Sequence, residues 1–198
     1  MGKKERIAIL RSDTNVVETA ERGFVASALG AKLTAEVFVF VDGKIVIQKM
    51  MKKESWHLGQ LSLLGETLRF NESFEKAAVS GVKEELGLKV RRLVAVGEKT
   101  FIAVKPPSSN LYIQTFVCEG SGKLKIDPQE VESCRIMSLN ELKQLVENKP
   151  EECSAALKRC FKIVQLSKWR GKRVFFPRVL NFVRKRRAPF NKKPVKLR

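Results

Sequence analysis

Apolar residues collect in short runs that are typical of β-strands. The stretch AEVFVFVDGKIVIQKM contains two such runs, Val37–Val41 and Lys44–Gln48, joined at Asp42-Gly43. Asp-Gly between two β-rich runs is a strong signal for a tight hairpin turn. Two further runs rich in β-branched and apolar residues follow at 88–102 and 110–118. The pattern therefore predicts a hairpin followed by two more strands.

A different spacing, with apolar residues three and four positions apart, begins after Ser73. The positions that form this apolar face are Phe74, Ala77, Ala78, Val82 and Leu86. Such intervals predict an amphipathic helix that ends near Leu86, with Glu84 and Glu85 largely off the apolar face. We expect Asn71 to cap the start of this helix and Gly87 to end it in a left-handed turn.

Other helices are predicted on both sides of these elements. Ser138 and Glu141 have the form of a capping box at a helix start, and the apolar segment Cys153–Leu166 is predicted to close the domain with its cysteines in the core. The apolar periodicity of Thr14–Leu29 predicts a helix against the domain. A chain of 198 residues with 43% hydrophobic content suits one core, so we divide it into an extension (1–30), a domain (31–166) and a tail (167–198).

Residues 65–88, GETLRFNESFEKAAVSGVKEELGL, resemble a Nudix box. The family pattern is a glycine, five residues, a glutamate, seven residues, Arg-Glu, an aliphatic residue, any residue, Glu-Glu, any residue, glycine and an aliphatic residue. Without gaps, this pattern places its first glutamate on Glu72 and its glutamate pair on Glu84 and Glu85. Its final glycine falls on Gly87. The spacing of the box is therefore complete.

Two positions that carry the chemistry of the box, and its first glycine, differ from the pattern. The Arg-Glu of the family falls on Ser80 and Gly81, and the first glycine falls on Glu66 with Gly65 just before it. In family members, carboxylates of this helix bind magnesium or manganese, which neutralises a diphosphate and activates water. Gly81 offers no carboxylate. We therefore expect a catalytically reduced protein without a cofactor, or, if it is active, a pyrophosphohydrolase that uses Mg²⁺ or Mn²⁺.

The resemblance extends over about 35–164 and implies an α/β/α sandwich with a mixed β-sheet. If the protein is active, it implies Glu84, Glu85 and Glu72 as catalytic residues and Glu84, Glu85 and Glu130 as metal ligands. The alternative interpretation of the glutamate pair is an ordinary solvated helix end. Glu130 shares its acidic turn with Glu132, and either could supply the extra ligand or base.

The positive charge is concentrated in the tail. Residues 168–198 contain 13 of the 39 Lys and Arg residues and no Asp or Glu, which leaves 39 − 13 = 26 basic against 21 acidic residues elsewhere. Aromatic residues alternate with these cations, which favours RNA binding through phosphate contacts and base stacking. The predicted RNA-binding residues are Lys168, Trp169, Arg170, Lys172, Arg173, Arg178, Arg184, Lys185, Arg186, Arg187, Lys192, Lys193, Lys196 and Arg198. Targeting, an anionic membrane surface or simple solubility are the alternatives.

Two functional hypotheses follow. The first is a catalytically reduced Nudix-fold protein that binds RNA, as a ribosome- or ribonucleoprotein-associated factor, with a groove that accommodates a nucleotide. The second is a magnesium-dependent hydrolase of a nucleoside diphosphate derivative or an RNA 5′ end. A single histidine, His57, excludes a multi-histidine metal centre. With no apolar run of 18 residues and no secretory signal, we expect an intracellular protein of the cytoplasm, an organelle matrix or the nucleus.

Overall fold

The computed structural model describes residues 6–11, 17–21, 30–50, 59–104 and 110–169. The strands of these ranges are β1 (Arg6–Arg11), β2 (Val17–Glu21), β3 (Gly30–Val41), β4 (Lys44–Met50), β5 (Leu61–Ser62), β6 (Leu64–Thr67), β7 (Lys89–Ile102), β8 (Asn110–Ser121) and β9 (Val131–Met137). The helices are α1 (Phe74–Leu86), α2 (Leu139–Asn148) and α3 (Ala155–Trp169), with a short 3₁₀ turn at Pro150–Glu152.

Strand β3 lies at the centre of a mixed sheet. It pairs antiparallel with β1, β4 and β6 and parallel with β8. Strand β4 in turn pairs with β5 and β9, while β7 pairs with β8. The predicted hairpin is confirmed, because Val41 opposes Lys44 and both turn residues have positive φ, 50° at Asp42 and 76° at Gly43. Those angles are typical of the tight hairpin turns that Asp-Gly favours.

The two faces of β3 are both buried, under different helices. On one face, Val37 and Val39 pack with apolar side chains of α1, including Phe74 and Val82. On the other face, Phe38 and Phe40 belong to a cluster that contains residues of α2 and α3: Leu142, Leu157, Cys160 and Phe161. Because successive side chains of a strand point to opposite faces, the run of apolar residues in β3 serves both layers. The expected α/β/α sandwich is confirmed.

The N-terminal cap of helix α1 lies two residues after Asn71, the cap expected from the sequence. Asn71 has a φ of 63° within a tight turn, and the cap is Ser73, whose side chain accepts a hydrogen bond from the backbone N–H of Lys76 at 3.2 Å. The prediction of an Asn71 cap is therefore wrong. Gly87 ends the helix as expected, with a φ of 66° and its N–H bonded to the Lys83 carbonyl.

The helix signals predicted at Ser138 and at Cys153–Leu166 agree with the structure. The capping box of α2 is complete, with the N–H of Ser138 donating to Glu141 Oε2 at 2.7 Å and the N–H of Glu141 donating to Ser138 Oγ at 3.2 Å. Helix α3 begins at Ala155, and Cys153 and Cys160 are buried as predicted. No helix of the described ranges is both long and apolar enough to cross a membrane.

The prediction of a helix over Thr14–Leu29 is wrong where the structure describes that segment. Residues 17–21 form β2, which pairs with β1, and β1 continues the sheet beside β3. Ile7 and Ile9 of β1 are buried in the core. The β-branched residues Val17 and Thr19 suit a strand, and pairing with β1 overrides the weak helical periodicity. The N-terminal segment thus adds two strands to the sheet.

Candidate active site

Glu85 of α1 lies inside the protein and not at a solvated helix end. It is only 4% exposed, and the Nε2 of Gln48 on β4 donates a hydrogen bond to its Oε2 at 2.9 Å. The expectation that Glu85 lies off the buried face is therefore wrong. This bond joins the C-terminal end of α1 to β4, and the Gln48 amide satisfies one carboxyl oxygen, so a polar residue is accommodated at a buried position.

Burial dominates the electrostatics of Glu85. It raises the pKa of this carboxyl to about 8, against the opposing hydrogen bond from Gln48. The negative charges of three further carboxylates, Glu66, Glu130 and Glu36, raise the pKa as well. At neutral pH the carboxyl is mostly protonated in the absence of a positive charge. A cation placed beside it would favour the ionised form.

Two buried oxygens in this region lack hydrogen-bond partners. In the described part of the chain, Gln48 Oε1 and Glu36 Oε2 are both inaccessible to solvent and without a partner. Glu36 is 3% exposed on β3, and burial raises the pKa of its carboxyl to about 8. Unpaired buried polar atoms are rare in folded proteins because each costs a desolvation penalty. Unpaired oxygen acceptors are the groups that a bound cation would satisfy.

Glu66 of β6 lies directly against the helix at Gly81. A Cβ atom added to Gly81 would lie 3.0 Å from the Cβ of Glu66 and 3.0 Å from Cδ2 of Leu64. The Glu66 residue itself is 6% exposed. The helix can therefore approach β6 this closely only because position 81 has no side chain.

Arg69 connects the two other glutamates of the box. Its Nη2 lies 3.5 Å from Glu84 Oε2, and its Nη1 lies 4.0 Å from Glu72 Oε1. The backbone N–H of Arg69 also donates to Glu72 Oε2 at 2.9 Å. At the position of the family arginine, Ser80 instead donates its hydroxyl to the Lys76 carbonyl at 2.9 Å. In this chain the guanidinium beside the glutamates comes from the turn before α1.

The acidic turn is bound to the end of α1. The N–H of Asp127 donates to the Glu85 carbonyl at 3.0 Å, and the N–H of Lys125 donates to the Leu86 carbonyl at 2.9 Å. This docking brings Glu130 close enough for its charge to act on Glu85. Glu132 instead forms an ion pair with Lys49 at 2.7 Å. Of the two glutamates left open by the sequence, Glu130 is the one associated with Glu85.

The chemistry of this cluster suits a hard divalent cation. Magnesium and manganese take oxygen ligands, and Glu85 with the Gln48 amide oxygen supplies them on adjacent elements. In the described ranges, no three Asp, Glu, His or Cys side chains already stand together as a metal site. The amide oxygen of Gln48, which belongs to none of those residue types, supplies a further donor. The residues therefore fit a divalent cation in donor type, with the buried unpaired oxygen as the supporting observation.

The sequence interpretation missed Glu36, Gln48, Glu66 and Arg69. The signal for Glu36 was a single charged residue in the apolar run AEVFVFV, and the signal for Glu66 was its place at the box glycine. Lys168 and Trp169 are the last residues of α3, and the remaining predicted RNA-binding residues, Arg170 to Arg198, lie outside the described residues, as does His57.

The fold and the box helix can be compared with known proteins. The family model described as NUDIX domain matches residues 31–157, well over half of the chain. The chain belongs to this family. A comparison with curated proteins finds no matching sequence.

Solved Nudix structures share the fold at low sequence identity. A MutT NUDIX hydrolase from Burkholderia pseudomallei is 18% identical over 68% of this chain and 98% of its own, with a TM-score of 0.57. A NUDIX hydrolase from Nitrosomonas europaea is 16% identical over 70% and 90%, with a TM-score of 0.57. A MutT protein from Methanosarcina mazei is 13% identical over 70% and 95%, with a TM-score of 0.55. These similarities establish the shared Nudix fold.

Proposed function

We propose that this Nudix protein is a Mg²⁺- or Mn²⁺-dependent pyrophosphohydrolase that acts on a nucleoside diphosphate derivative. The observation that carries the proposal is the buried pair of Glu85 and Gln48, with an unpaired amide oxygen, under the box helix. This arrangement costs stability in the absence of a cation, because burial opposes ionisation of the carboxyl. A functional demand on the site explains why such a cluster lies in the core. The proposal reverses our sequence-based preference for a catalytically reduced protein.

Each residue of the proposed site has a separate role. Glu85 and the amide oxygen of Gln48 would hold the cation, and the cation would neutralise the diphosphate and lower the pKa of a water molecule. Glu130, in the turn docked on α1, is suited to accept a proton from that water. Arg69 keeps Glu72 and Glu84 in place at the start and end of the helix face.

Hydrolysis of a panel of nucleoside diphosphate sugars and dinucleotides, with Mg²⁺ or Mn²⁺, tests the proposal. We expect Glu85→Gln to lower kcat by about 100-fold or more, since lost charge stabilisation costs several kcal/mol in the transition state. Glu84 is half-exposed, so Glu84→Gln should have a smaller effect. The matched control is Glu75→Gln, an exposed glutamate in the first turn of the same helix. Turnover without a metal requirement, or unchanged by Glu85→Gln, would refute the site.

The charge of the tail favours a second function. We propose that the 13 cations of residues 168–198 bind RNA, as in a ribosomal or other ribonucleoprotein particle. Contacts of this kind are mainly to phosphate, so affinity falls steeply with salt and depends little on sequence. An RNA 5′ end would then also be a candidate substrate for the Nudix site.

A full-length charge variant tests the tail without removing it. Changing Arg184, Lys185, Arg186 and Arg187 together to Gln should reduce the slope of log K against log salt by about 3 for single-stranded RNA, at about 0.7 per lost contact. The matched control changes four exposed lysines of the domain: Lys76, Lys83, Lys123 and Lys143. Equal slopes for the wild type and the tail variant would exclude the tail as the RNA-binding segment.

A further inference from the structure

We propose that Glu66 supplies, from strand β6, the carboxylate that Gly81 does not provide from helix α1. Relative to the box pattern, which has glycine at the first position and glutamate at the second, the two residues have exchanged places. The inference rests on the proposed function, because the carboxylate is assigned to the same divalent cation as Glu85. On this inference the protein has not lost a metal ligand, because the carboxylate lies on β6 instead of α1.

The contact between the two positions disfavours a side chain at both. The Cβ of a residue at 81 would lie 3.0 Å from the Cβ of Glu66, which is closer than ordinary van der Waals contact. The contact is with the base of the Glu66 side chain and not with its mobile end, so a change of rotamer cannot relieve it. Leu64 Cδ2 also lies 3.0 Å from that Cβ, but it is the end of a flexible side chain and can move aside. One position can carry a glutamate comfortably only if the other is glycine.

The exchange leaves the carboxylate at nearly the same place. Residues 81 and 85 are four apart, so a side chain at 81 would lie one turn away from Glu85 on the same side of α1. The Cβ of Glu66 on β6 lies 3.0 Å from the point where a Cβ at position 81 would lie. The Glu66 side chain therefore starts next to the point from which a side chain at position 81 would have started.

A separate observation indicates that this cluster receives a ligand. Gln48 is fully buried and donates one hydrogen bond to Glu85, yet its amide oxygen has no partner within the described residues. Two carboxylates and one amide oxygen, on β6, α1 and β4, are a ligand set for a hard cation.

Binding of Mn²⁺ to the full-length protein, followed by the electron paramagnetic resonance signal of the free ion, tests the exchange without any substrate. We expect Glu66→Gln to weaken Mn²⁺ affinity by about 10-fold or more, as loss of groups that support a metal does. Glu66→Gly should do the same, while the double variant Glu66→Gly/Gly81→Glu should recover the affinity of the wild type to within about 3-fold. Glu75→Gln should bind as the wild type does.

Thermal unfolding distinguishes a ligand from a residue that only supports the fold. A ligand role predicts that the rise in Tm on adding Mn²⁺ is smaller for Glu66→Gln than for the wild type, whereas a residue that only supports the fold would change the Tm with chelator and leave that rise unchanged. Equal Mn²⁺ affinity of the wild type and Glu66→Gln would overturn the inference and leave the proposed function intact. A folded wild type that binds no Mn²⁺ would overturn both. If Glu66→Gly loses affinity but the double variant does not regain it, the exchange is wrong.

Discussion

Glu36 gives a prediction whose sign and size follow from one buried carboxyl. This side chain on β3 is 3% exposed, its Oε2 has no hydrogen-bond partner among the described residues, and burial raises its pKa to about 8 from an ordinary value of 4.5. Between these two values the folded protein retains a proton that the unfolded chain has released. The free energy of unfolding therefore falls as pH rises from about 4.5 to about 8 and changes little beyond that.

The upper limit of this loss is about 5 kcal/mol, from the difference 8 − 4.5 = 3.5 at about 1.36 kcal/mol per unit of pKa. Relaxation and entry of water around an ionised buried group reduce it, so we expect a loss of about 2–4 kcal/mol. Glu36→Gln has nearly the same shape and no ionisation. It should match the wild type near pH 5 and be about 2–4 kcal/mol more stable near pH 9.

Urea unfolding followed by far-ultraviolet circular dichroism, at fixed ionic strength and with chelator, measures this difference at intervals from pH 5 to pH 9. The comparison with the wild type cancels the titration of groups that do not interact with Glu36. Exposed Glu75 supplies the control, since Glu75→Gln should differ from the wild type by a constant amount at every pH. A stability difference between Glu36→Gln and the wild type that does not vary with pH would refute an ionisable, unpaired carboxyl at this place.

Two predictions concern the ends of helices and are measured as shifts of the urea midpoint. Gly87→Ala should lower the free energy of unfolding by about 1–2 kcal/mol, because φ is 66° and the new Cβ would lie 3.2 Å from the Lys125 carbonyl oxygen. Gly87→Asn should lower it less, because asparagine tolerates that φ better. An equal loss for both variants would show that crowding alone is the cause. Ser138→Ala should lower the free energy of unfolding by about 1 kcal/mol through loss of the capping box. Ser138→Asp should retain most of the stability. An unchanged urea midpoint for Ser138→Ala would show that the cap does not stabilise the protein.

Local signals in the sequence predicted the elements, and long-range contacts determined the site. Asp42-Gly43, Gly87 and the Ser138 capping box act within a few residues, so their outcomes could be predicted from spacing alone. The same reasoning placed Glu85 in solvent. Helical spacing describes only nearby residues, and the partner of Glu85 is Gln48, which is 37 residues away along the chain. The tertiary position of β4 over the end of α1 decides the environment of that carboxyl.

The departures from the box pattern were visible in the sequence but were interpreted only as losses. Gly81 and Ser80 were counted as missing groups, since a pattern along one segment says nothing about which other segment lies against it. The structure places Glu66 against Gly81 and places Arg69 beside Glu72 and Glu84. Glu66 lies in β6, and Arg69 lies between β6 and α1. A missing residue in a motif indicates a lost function only if no residue that faces that position supplies the same group.

The central place of β3 also has a consequence for how the chain folds. The parallel pairing of β3 with β8 joins Ala31 to Asn110, a separation of 110 − 31 = 79 residues. Contacts of such separation slow folding, because the intervening chain must be ordered before they form. During synthesis the apolar strand GAKLTAEVFVFV has its parallel partner only after residue 121 has emerged. Until then one edge of β3 is an exposed apolar template for other strands, so this segment is where chaperones and aggregation should compete for the nascent protein.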